Sequence, residues 1–176
     1  TVASAGDFNG DSYPDLIVGT GANLKKTLVV YGGIGGGVVP ANTLVMNKNA
    51  SEISTLAPGF VGPAVGGGRD VNGDGVDDVV IGAPSSGASG EVYVVFGTAK
   101  GVPVAPHTVA DIIAGKGGFA IAGTSMAGQA GQAVALIPSV NADGLADVLI
   151  GSPGFDVTPA SNEGRAYVLY GGDCKN

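Results

Sequence analysis

The amino-acid sequence predicts an all-β fold built from short strands, and three observations support this. Tight turns must be frequent, because 33 Gly and 10 Pro occur among the 176 residues. The chain is also too apolar to be disordered, with 44% hydrophobic and only 13% charged residues. Finally, one strand-rich pattern recurs three times along the chain. These features together favour a sandwich, a barrel or a propeller.

The repeated unit emerges when the chain is aligned with itself. Three segments share one order of features: an acidic loop, then an aspartate, then a short apolar run, then a glycine. They are GDFNGDSYPDLIVGT (Gly6–Thr20), RDVNGDGVDDVVIGAP (Arg69–Pro84) and SVNADGLADVLIGSP (Ser139–Pro153). The anchoring aspartates are Asp15, Asp78 and Asp147, at separations of 63 and 69 residues. Each repeat is therefore predicted to place strands on both sides of its acidic loop.

The strands of each repeat can be predicted in chain order. The first strand lies in TVASAG, GPAVGGG and GQAVALI, directly before the acidic loops. The second lies in DLIVG, DVVIG and DVLIG, which are too short for helices, rich in β-branched residues and followed by turn residues. A variable loop leads to the third strand, which ends in an aromatic residue and glycine in Thr27–Gly33, Glu91–Gly97 and Arg165–Gly172.

A fourth strand is predicted in the first two repeats. The candidate segments are NTLVM (Asn42–Met46) and GGFAIAG (Gly117–Gly123). No matching piece follows Tyr170, so the third repeat is expected to lack this strand.

Oxygen-bearing side chains occupy alternate positions of the acidic loops. Each loop is numbered from Asp7, Asp70 or Ser139 as position 1, and the side chains in question lie at positions 1, 3, 5 and 9. They are Asp7, Asn9, Asp11 and Asp15 in the first loop, Asp70, Asn72, Asp74 and Asp78 in the second, and Ser139, Asn141, Asp143 and Asp147 in the third. Position 7 is expected to offer a backbone carbonyl, from Tyr13, Val76 and Leu145. Hard oxygen ligands at this density suit Ca²⁺, which takes six to eight of them.

An EF-hand is the obvious competing interpretation of this pattern. It requires a bidentate glutamate at position 12, but that position holds Val18, Ile81 or Ile150. It also requires flanking helices, whereas these loops lead into strands. The third loop carries Ser139 in place of a carboxylate, which should weaken its affinity for calcium. The sequence thus predicts two calcium sites and a weaker third.

The acidic composition is consistent with bound cations. Eight of the fifteen acidic residues occupy the ligand positions, and three Ca²⁺ would reduce the net charge of −7 to about −1. The alternative is that Asp, Asn and Gly merely form good turns. Two full sets and one near-complete set of these residues, at matching positions of the three loops, favour metal binding.

The motifs resemble a known repeat. NGDGVDDVVIGAP followed by GEVYVVFG resembles the FG-GAP repeat, the blade unit of the integrin α-subunit N-terminal β-propeller family, and GGFAIAG resembles the outer segment before a blade's inner strand. This resemblance covers nearly the whole chain. It implies β-propeller blades of four-stranded antiparallel sheets, calcium in the acidic loops and extracellular adhesion. The repeats then span approximately residues 1–58, 59–127 and 128–176 of a single domain or fragment.

Three blades are too few for a closed propeller, which needs at least four. The open sheet edges of an isolated arc would promote aggregation. We therefore expect the chain to be part of a longer propeller, or two copies to form a six-blade ring. A compact arrangement of three blades without a ring is the third possibility.

Candidate catalytic residues are sparse, and the chain is not expected to be an enzyme. The histidine His107 lies in a proline-flanked loop, and Ser85, Ser86 and Ser125 lack a nucleophile-elbow motif. Paired carboxylates could serve glycoside hydrolysis, but calcium ligation would commit them. Cys174, near the end of the chain, is either a free thiol or half of a disulfide to another chain or to a region absent from this sequence.

The predicted partner is a protein or cell-surface ligand in an extracellular setting. Scattered Lys and Arg residues exclude nucleic-acid binding, and no apolar run reaches the roughly 18–20 residues of a membrane span. No signal peptide is present at Thr1, so we expect either that one has been removed or that the chain has been cut from a longer protein. The Asn49–Ser51 glycosylation sequon supports secretion weakly.

Two functions fit this setting. The chain is either a calcium-stabilised adhesion or binding module, or an accessory propeller of a larger secreted enzyme or surface protein whose catalysis lies elsewhere. Glycan binding is disfavoured, because aromatic residues are only 6% and Trp is absent.

Overall fold

A computed structural model describes residues 1–20, 26–33, 50–54, 64–100, 102, 107–156 and 163–172. Within these residues the chain forms strands and one short helix: β1 (Val2–Gly6), β2 (Asp15–Gly19), β3 (Lys26–Val30), β4 (Ala50–Ser54), β5 (Ala64–Arg69), β6 (Asp78–Ala83), β7 (Glu91–Val95), β8 (His107–Thr108), α1 (Val109–Ile113), β9 (Gly118–Ala122), β10 (Ala133–Ile137), β11 (Asp147–Ser152) and β12 (Arg165–Leu169). The predicted all-β class is confirmed.

The strands form three sheets, which correspond to three propeller blades. Sheet one has the order β1-β2-β3-β4-β8, sheet two β5-β6-β7-β9 and sheet three β10-β11-β12. Neighbouring strands within each sheet pair antiparallel, except that β8 adds two residues parallel to β4, with His107 opposite Ile53. Sheet one thus contains one more strand than the predicted blade, and this strand, β8, comes from the chain segment between β7 and β9 of sheet two.

Sheet two lies between the other two sheets, which explains the composition of its central strand. All six residues of β6 are buried, whereas β2 and β3 bury alternate residues. Val79 and Ile81 pack in one core with Ile17 of sheet one. Val80 faces the other way, into a second core with Val148 and Ile150 of sheet three. A strand buried on both faces needs a continuous apolar run, and DVVIGA supplies it.

Sheets one and three each leave a face uncovered. In sheet one, Leu16 is 51% exposed while its neighbour Ile17 is fully buried. In sheet three, Leu149 is 36% exposed between the buried Val148 and Ile150. The alternation of side chains along a strand places these exposed leucines on the outward faces.

The fourth strands differ in part from the sequence prediction. The prediction for the second repeat is confirmed, because β9 lies within Gly117–Gly123. In the first repeat the fourth strand is Ala50–Ser54, and the predicted segment Asn42–Met46 lies outside the described residues. The preceding sequon residue Asn49 also lies outside them.

Helix α1 was not predicted from the sequence. The hydroxyl of Thr108 caps its N-terminus by accepting the Asp111 N–H at 3.1 Å. Val109 and Ile112 point into the core between sheets one and two and are buried. At five residues the helix is too short for hydrophobic periodicity to reveal it, so its stability comes from this packing.

Candidate metal centre

The aspartate at position 9 of each loop is buried and fully hydrogen-bonded. Asp15, Asp78 and Asp147 are each at most 1% exposed. One carboxylate oxygen accepts the N–H of the residue at position 2 of the same loop, at 2.7–3.0 Å. The other accepts the N–H of the glycine after the third strand, at 2.8–3.0 Å. This aspartate therefore ties its loop to the end of the third strand.

The aromatic–glycine motif follows from the same arrangement. A Cβ atom on Gly32, Gly97 or Gly171 would lie 2.3 Å from the backbone carbonyl oxygen at position 8 of its loop. No side chain fits at that distance, so only glycine can bring its N–H to the buried carboxylate. The glycine and the position-9 aspartate thus recur together because they are the donor and the acceptor of one hydrogen bond.

Positions 1, 3 and 5 form a chain of hydrogen bonds that is the same in all three loops. The position-5 N–H donates to the position-3 amide oxygen at 3.0–3.2 Å. The position-7 N–H donates to the position-5 carboxylate at 2.8–2.9 Å. The position-6 N–H donates to the position-1 side chain at 2.8–3.3 Å. These bonds wrap each loop around its oxygen-bearing side chains.

The third loop keeps this geometry with a hydroxyl in place of the first carboxylate. Ser139 Oγ accepts the Gly144 N–H at 3.3 Å, as Asp70 accepts the Gly75 N–H at 2.8 Å. The single hydroxyl hydrogen of Ser139 can be donated to Asn141 Oδ1 at 2.9 Å or to Asp143 Oδ1 at 3.0 Å. The backbone N–H of Leu145 and the Asn141 amide hold the pKa of Asp143 below its usual value.

Within the described part of the chain, no cationic side chain balances the negative charge of the loops. Burial raises the pKa of Asp78 to about 7, against the opposing effect of its hydrogen bonds to Gly97 and Val71, and the nearby Asp74 and Asp70 add to the rise. Burial likewise raises the pKa of Asp15. No Lys or Arg among the described residues forms an ion pair with these loop aspartates. A nearby cation would favour their ionised forms.

The donor chemistry of the loops fits a hard divalent cation. Asp7 Oδ1 in the first loop is buried and has no hydrogen-bond partner within the described residues. A buried oxygen without a donor is energetically costly unless an ion or a water molecule satisfies it. Against this, the described part of the chain contains no group of three His, Cys, Asp or Glu side chains placed to hold a metal. Any site must therefore use amide and backbone oxygens as well.

Contacts between successive loops were missed by the sequence analysis. The Thr98 N–H donates to the Phe8 carbonyl at 2.9 Å, and the Gly172 N–H donates to the Val71 carbonyl at 3.1 Å. Asp77 Oδ2 accepts the Asp7 N–H at 2.9 Å. The first and second loops therefore each touch the next blade as well as their own sheet. Of these contacts, only the one to Asp77 had a signal in the sequence, a carboxylate at position 8 of the second loop to which no role was assigned.

Of the serines considered for catalysis, Ser86 is the buried one. The hydroxyl of Ser86 is buried and donates to Glu91 Oε2 at 2.6 Å, and Tyr93 donates to the same oxygen. The side chain of His107 and the whole of Cys174 lie outside the described residues.

Comparison with protein-family models shows to which family the chain belongs. The family model of the FG-GAP repeat matches residues 1–35, 61–95 and 130–169, which together exceed half of the chain. The chain belongs to the FG-GAP repeat family. Each match contains one acidic loop with the two strands that flank it, so the family covers all three loops, including the one with Ser139.

The curated relatives are much longer proteins. Integrin alpha pat-2 of Caenorhabditis elegans is 28% identical over 96% of this chain, which spans 13% of that relative. Phosphatidylinositol-glycan-specific phospholipase D of Mus musculus is 33% identical over 58% of this chain. Integrin alpha-6 of Gallus gallus is 29% identical over 60%. This FG-GAP chain is thus similar to segments of both integrin α-subunits and an enzyme.

No helix among the described residues of this FG-GAP chain is both long and apolar enough to cross a membrane.

Proposed function

We propose that this chain is a calcium-binding, extracellular, integrin-like FG-GAP module that mediates adhesion or protein–protein interaction. The observation that carries the proposal is the shared hydrogen-bond pattern of three oxygen-rich loops in an FG-GAP chain, with a buried oxygen of Asp7 left without a donor in the first. Similarity to integrin α-subunits supports the extracellular setting and the protein or cell-surface partner.

The loop residues would hold Ca²⁺ through oxygen atoms alone. The proposed ligands are the side chains at positions 1, 3, 5 and 9 and the carbonyl at position 7: Asp7, Asn9, Asp11, Tyr13 and Asp15; Asp70, Asn72, Asp74, Val76 and Asp78; and Ser139, Asn141, Asp143, Leu145 and Asp147. Bound calcium would neutralise clustered carboxylates. A position-9 carboxylate can accept its two N–H bonds and still ligate, because each oxygen has two lone pairs.

The role of calcium in this proposal is structural. The position-9 aspartates connect each loop to the end of the third strand, and in the first two loops the position-2 carbonyl accepts an N–H from the next blade. A cation that fixes the loop therefore also fixes the register of the blade and its contact with its neighbour. The variable loops after the second strands would then form a rigid contact surface, and no catalytic step is assigned to the chain.

Cell attachment tests the adhesion role. Surfaces coated with the purified chain should retain cells in millimolar calcium, and soluble chain should compete. Attachment should fall in EGTA and with an Asp7→Ala/Asp74→Ala variant, whereas Asp156→Ala, outside the ligand sets, serves as the matched control. Attachment that is equal to that on an albumin-coated surface in calcium would contradict the adhesion role.

The second candidate is an accessory propeller in a larger secreted enzyme or surface protein. The observation in its favour is the 33% identity to phosphatidylinositol-glycan-specific phospholipase D over 58% of the chain. Calcium binding is expected in both cases. The length and neighbouring domains of the parent gene distinguish them, since a catalytic domain in the same reading frame would favour the accessory role.

A further inference from the structure

Position 8 of each acidic loop lies between two proposed ligand positions, and its residue differs among the three loops. It is Pro14 in the first loop, Asp77 in the second and Ala146 in the third, so only the second loop has a hydrogen-bond acceptor in this side chain. Asp77 Oδ2 accepts the backbone N–H of Asp7, which is position 1 of the first loop, at 2.9 Å. A carboxylate of the second loop therefore holds the first residue of the preceding loop.

The junction between sheets one and two leaves room for this carboxylate. A Cβ atom on Gly6, the residue before Asp7, would lie 2.0 Å from Asp77 Oδ2 and 2.6 Å from the Cα atom of Gly68. Gly6 also has a φ of +65°, which favours glycine. Any side chain at Gly6 would therefore displace the Asp77 carboxylate from the Asp7 N–H.

The junction between sheets two and three makes the corresponding contact without a side chain. Arg69 occupies the position of Gly6 there, and Ala146 occupies the position of Asp77. The Ala146 N–H donates to the backbone carbonyl of Asp70 at 2.8 Å. Position 8 of one loop thus contacts position 1 of the loop before it at both junctions. At the first junction this contact depends on one removable carboxylate.

This carboxylate lies beside both of the first two proposed metal centres. Asp77 stands between Val76, whose carbonyl is a proposed ligand, and Asp78, whose two carboxylate oxygens are fixed by backbone N–H groups. Its acceptor atom fixes Asp7, which carries the buried oxygen without a donor. An ion that orders Val76 and Asp78 would also order Asp77 between them. Asp7 would then lose less conformational freedom when the first loop binds its own ion.

We propose that Asp77 is a positioning residue that couples the first two calcium sites. An ion in the second loop raises the calcium affinity of the first loop, and linkage requires the reverse effect by the same factor. Asp77 acts through the Asp7 N–H and is not itself a ligand. The inference rests on the proposed calcium binding and gives a role to a residue outside the ligand sets.

A site-resolved calcium titration of the intact chain tests the coupling. In heteronuclear NMR spectra the amide signal of Gly10 reports the first loop and that of Gly73 the second. Asp77→Ala should raise the calcium concentration at half-saturation of the Gly10 signal at least about tenfold, because a hydrogen bond to a charged acceptor is lost. Asp77→Asn keeps an oxygen for the Asp7 N–H and should weaken binding less. Asp156→Ala is the matched control and should leave both half-saturation points unchanged.

Disabling one site measures its effect on the other. Asp74→Ala removes a ligand of the second loop and should raise the half-saturation point of Gly10. Asp7→Ala should raise that of Gly73 by the same factor. Adding Asp77→Ala to Asp7→Ala should raise the Gly73 value no further, because Asp77 then has no first site on which to act.

Hydrogen exchange provides a readout that needs no calcium. In EGTA the Asp7 amide of the wild type should exchange slowly, because its N–H is donated to Asp77. Asp77→Ala should accelerate this exchange, and Asp77→Asn should accelerate it less. Unchanged exchange in Asp77→Ala would overturn the contact on which the coupling depends.

The titrations separate failure of the coupling from failure of calcium binding. The coupling is overturned if calcium shifts both glycine signals of the wild type but Asp77→Ala leaves the Gly10 half-saturation point unchanged. Equal weakening by Asp77→Asn and Asp77→Ala would also overturn it, since loss of charge would then be the cause. A higher Gly73 value in Asp7→Ala/Asp77→Ala than in Asp7→Ala would show damage to the second loop itself. If neither signal responds to calcium in the wild type, the proposed calcium binding fails and the coupling with it.

Discussion

Replacing Asp78 by alanine tests how the acidic loop is attached to its sheet. Asp78 is fully buried, and its two carboxylate oxygens accept the N–H groups of Val71 at 2.8 Å and Gly97 at 2.9 Å. The Asp78→Ala variant leaves both N–H groups without their acceptor. It thereby disconnects the second loop from the end of β7.

The expected loss follows from these two hydrogen bonds. A hydrogen bond to a charged acceptor contributes about 1.5–3 kcal/mol, so the pair contributes about 3–6 kcal/mol. Removing the buried charge offsets part of this, because burial and the neighbouring Asp74 disfavour the ionised carboxylate and raise its pKa. We expect the free energy of unfolding to fall by about 2–4 kcal/mol.

The assay is urea denaturation followed by circular dichroism in EGTA, so that calcium does not contribute. With a slope near 2 kcal/mol per molar urea, the midpoint should fall by about 1–2 M. Asp156→Ala is the control and should change the free energy of unfolding by less than about 1 kcal/mol. An Asp78→Ala variant within about 0.5 kcal/mol of the wild type would refute the proposed role of this carboxylate.

Three further predictions address the loops and the core. In calcium, Asp74→Ala should lower the melting temperature more than Asp156→Ala, and equal effects would argue against the site assignment. Ser139→Asp should raise the calcium affinity of the third loop in titration calorimetry, since it adds a charged ligand; unchanged heats would oppose a site there. Burial and the hydrogen bond to Glu91 raise the pKa of Tyr93 to about 12. Because its unfolded-state pKa is about 10, the free energy of unfolding should fall between about pH 10 and 12, and Tyr93→Phe should remove this fall.

The sequence predicted the strands of each blade well, because their signal is local. DVVIGA must be a buried strand, as its apolar run is short, β-branched and preceded by a turn-forming loop. The repeat then extended this interpretation to DLIVG and DVLIG, which the structure confirms as β2 and β11.

The features that the sequence did not predict depend on contacts between blades. Helix α1 is stabilised because Val109 and Ile112 fill a space between sheets one and two. Its five residues alone contain no pattern that predicts a helix. The parallel pairing of β8 with β4 likewise joins segments that are far apart in the chain. Such placement is set by tertiary packing, which periodicity within one segment cannot reveal.

For the acidic loops, the sequence predicted the residue types but only part of their roles. The alternation of Asp and Asn identified positions 1, 3 and 5, and the structure shows them linked by a common hydrogen-bond pattern. The aspartate at position 9 was predicted as a ligand, and that remains a proposal. Its additional contact to the glycine after the third strand needs the fold, because Asp78 and Gly97 are 19 residues apart.

Thermal unfolding with and without calcium tests the central claim most directly, which is that the first two loops each bind a calcium ion. Calcium at 100 times its dissociation constant stabilises a site by about 2.7 kcal/mol, so two sites should raise the melting temperature of the chain by at least about 10 °C over its value in EGTA. The account predicts this rise for the wild type and a much smaller one for Asp7→Ala/Asp74→Ala. An identical wild-type transition in millimolar calcium and in EGTA would contradict it.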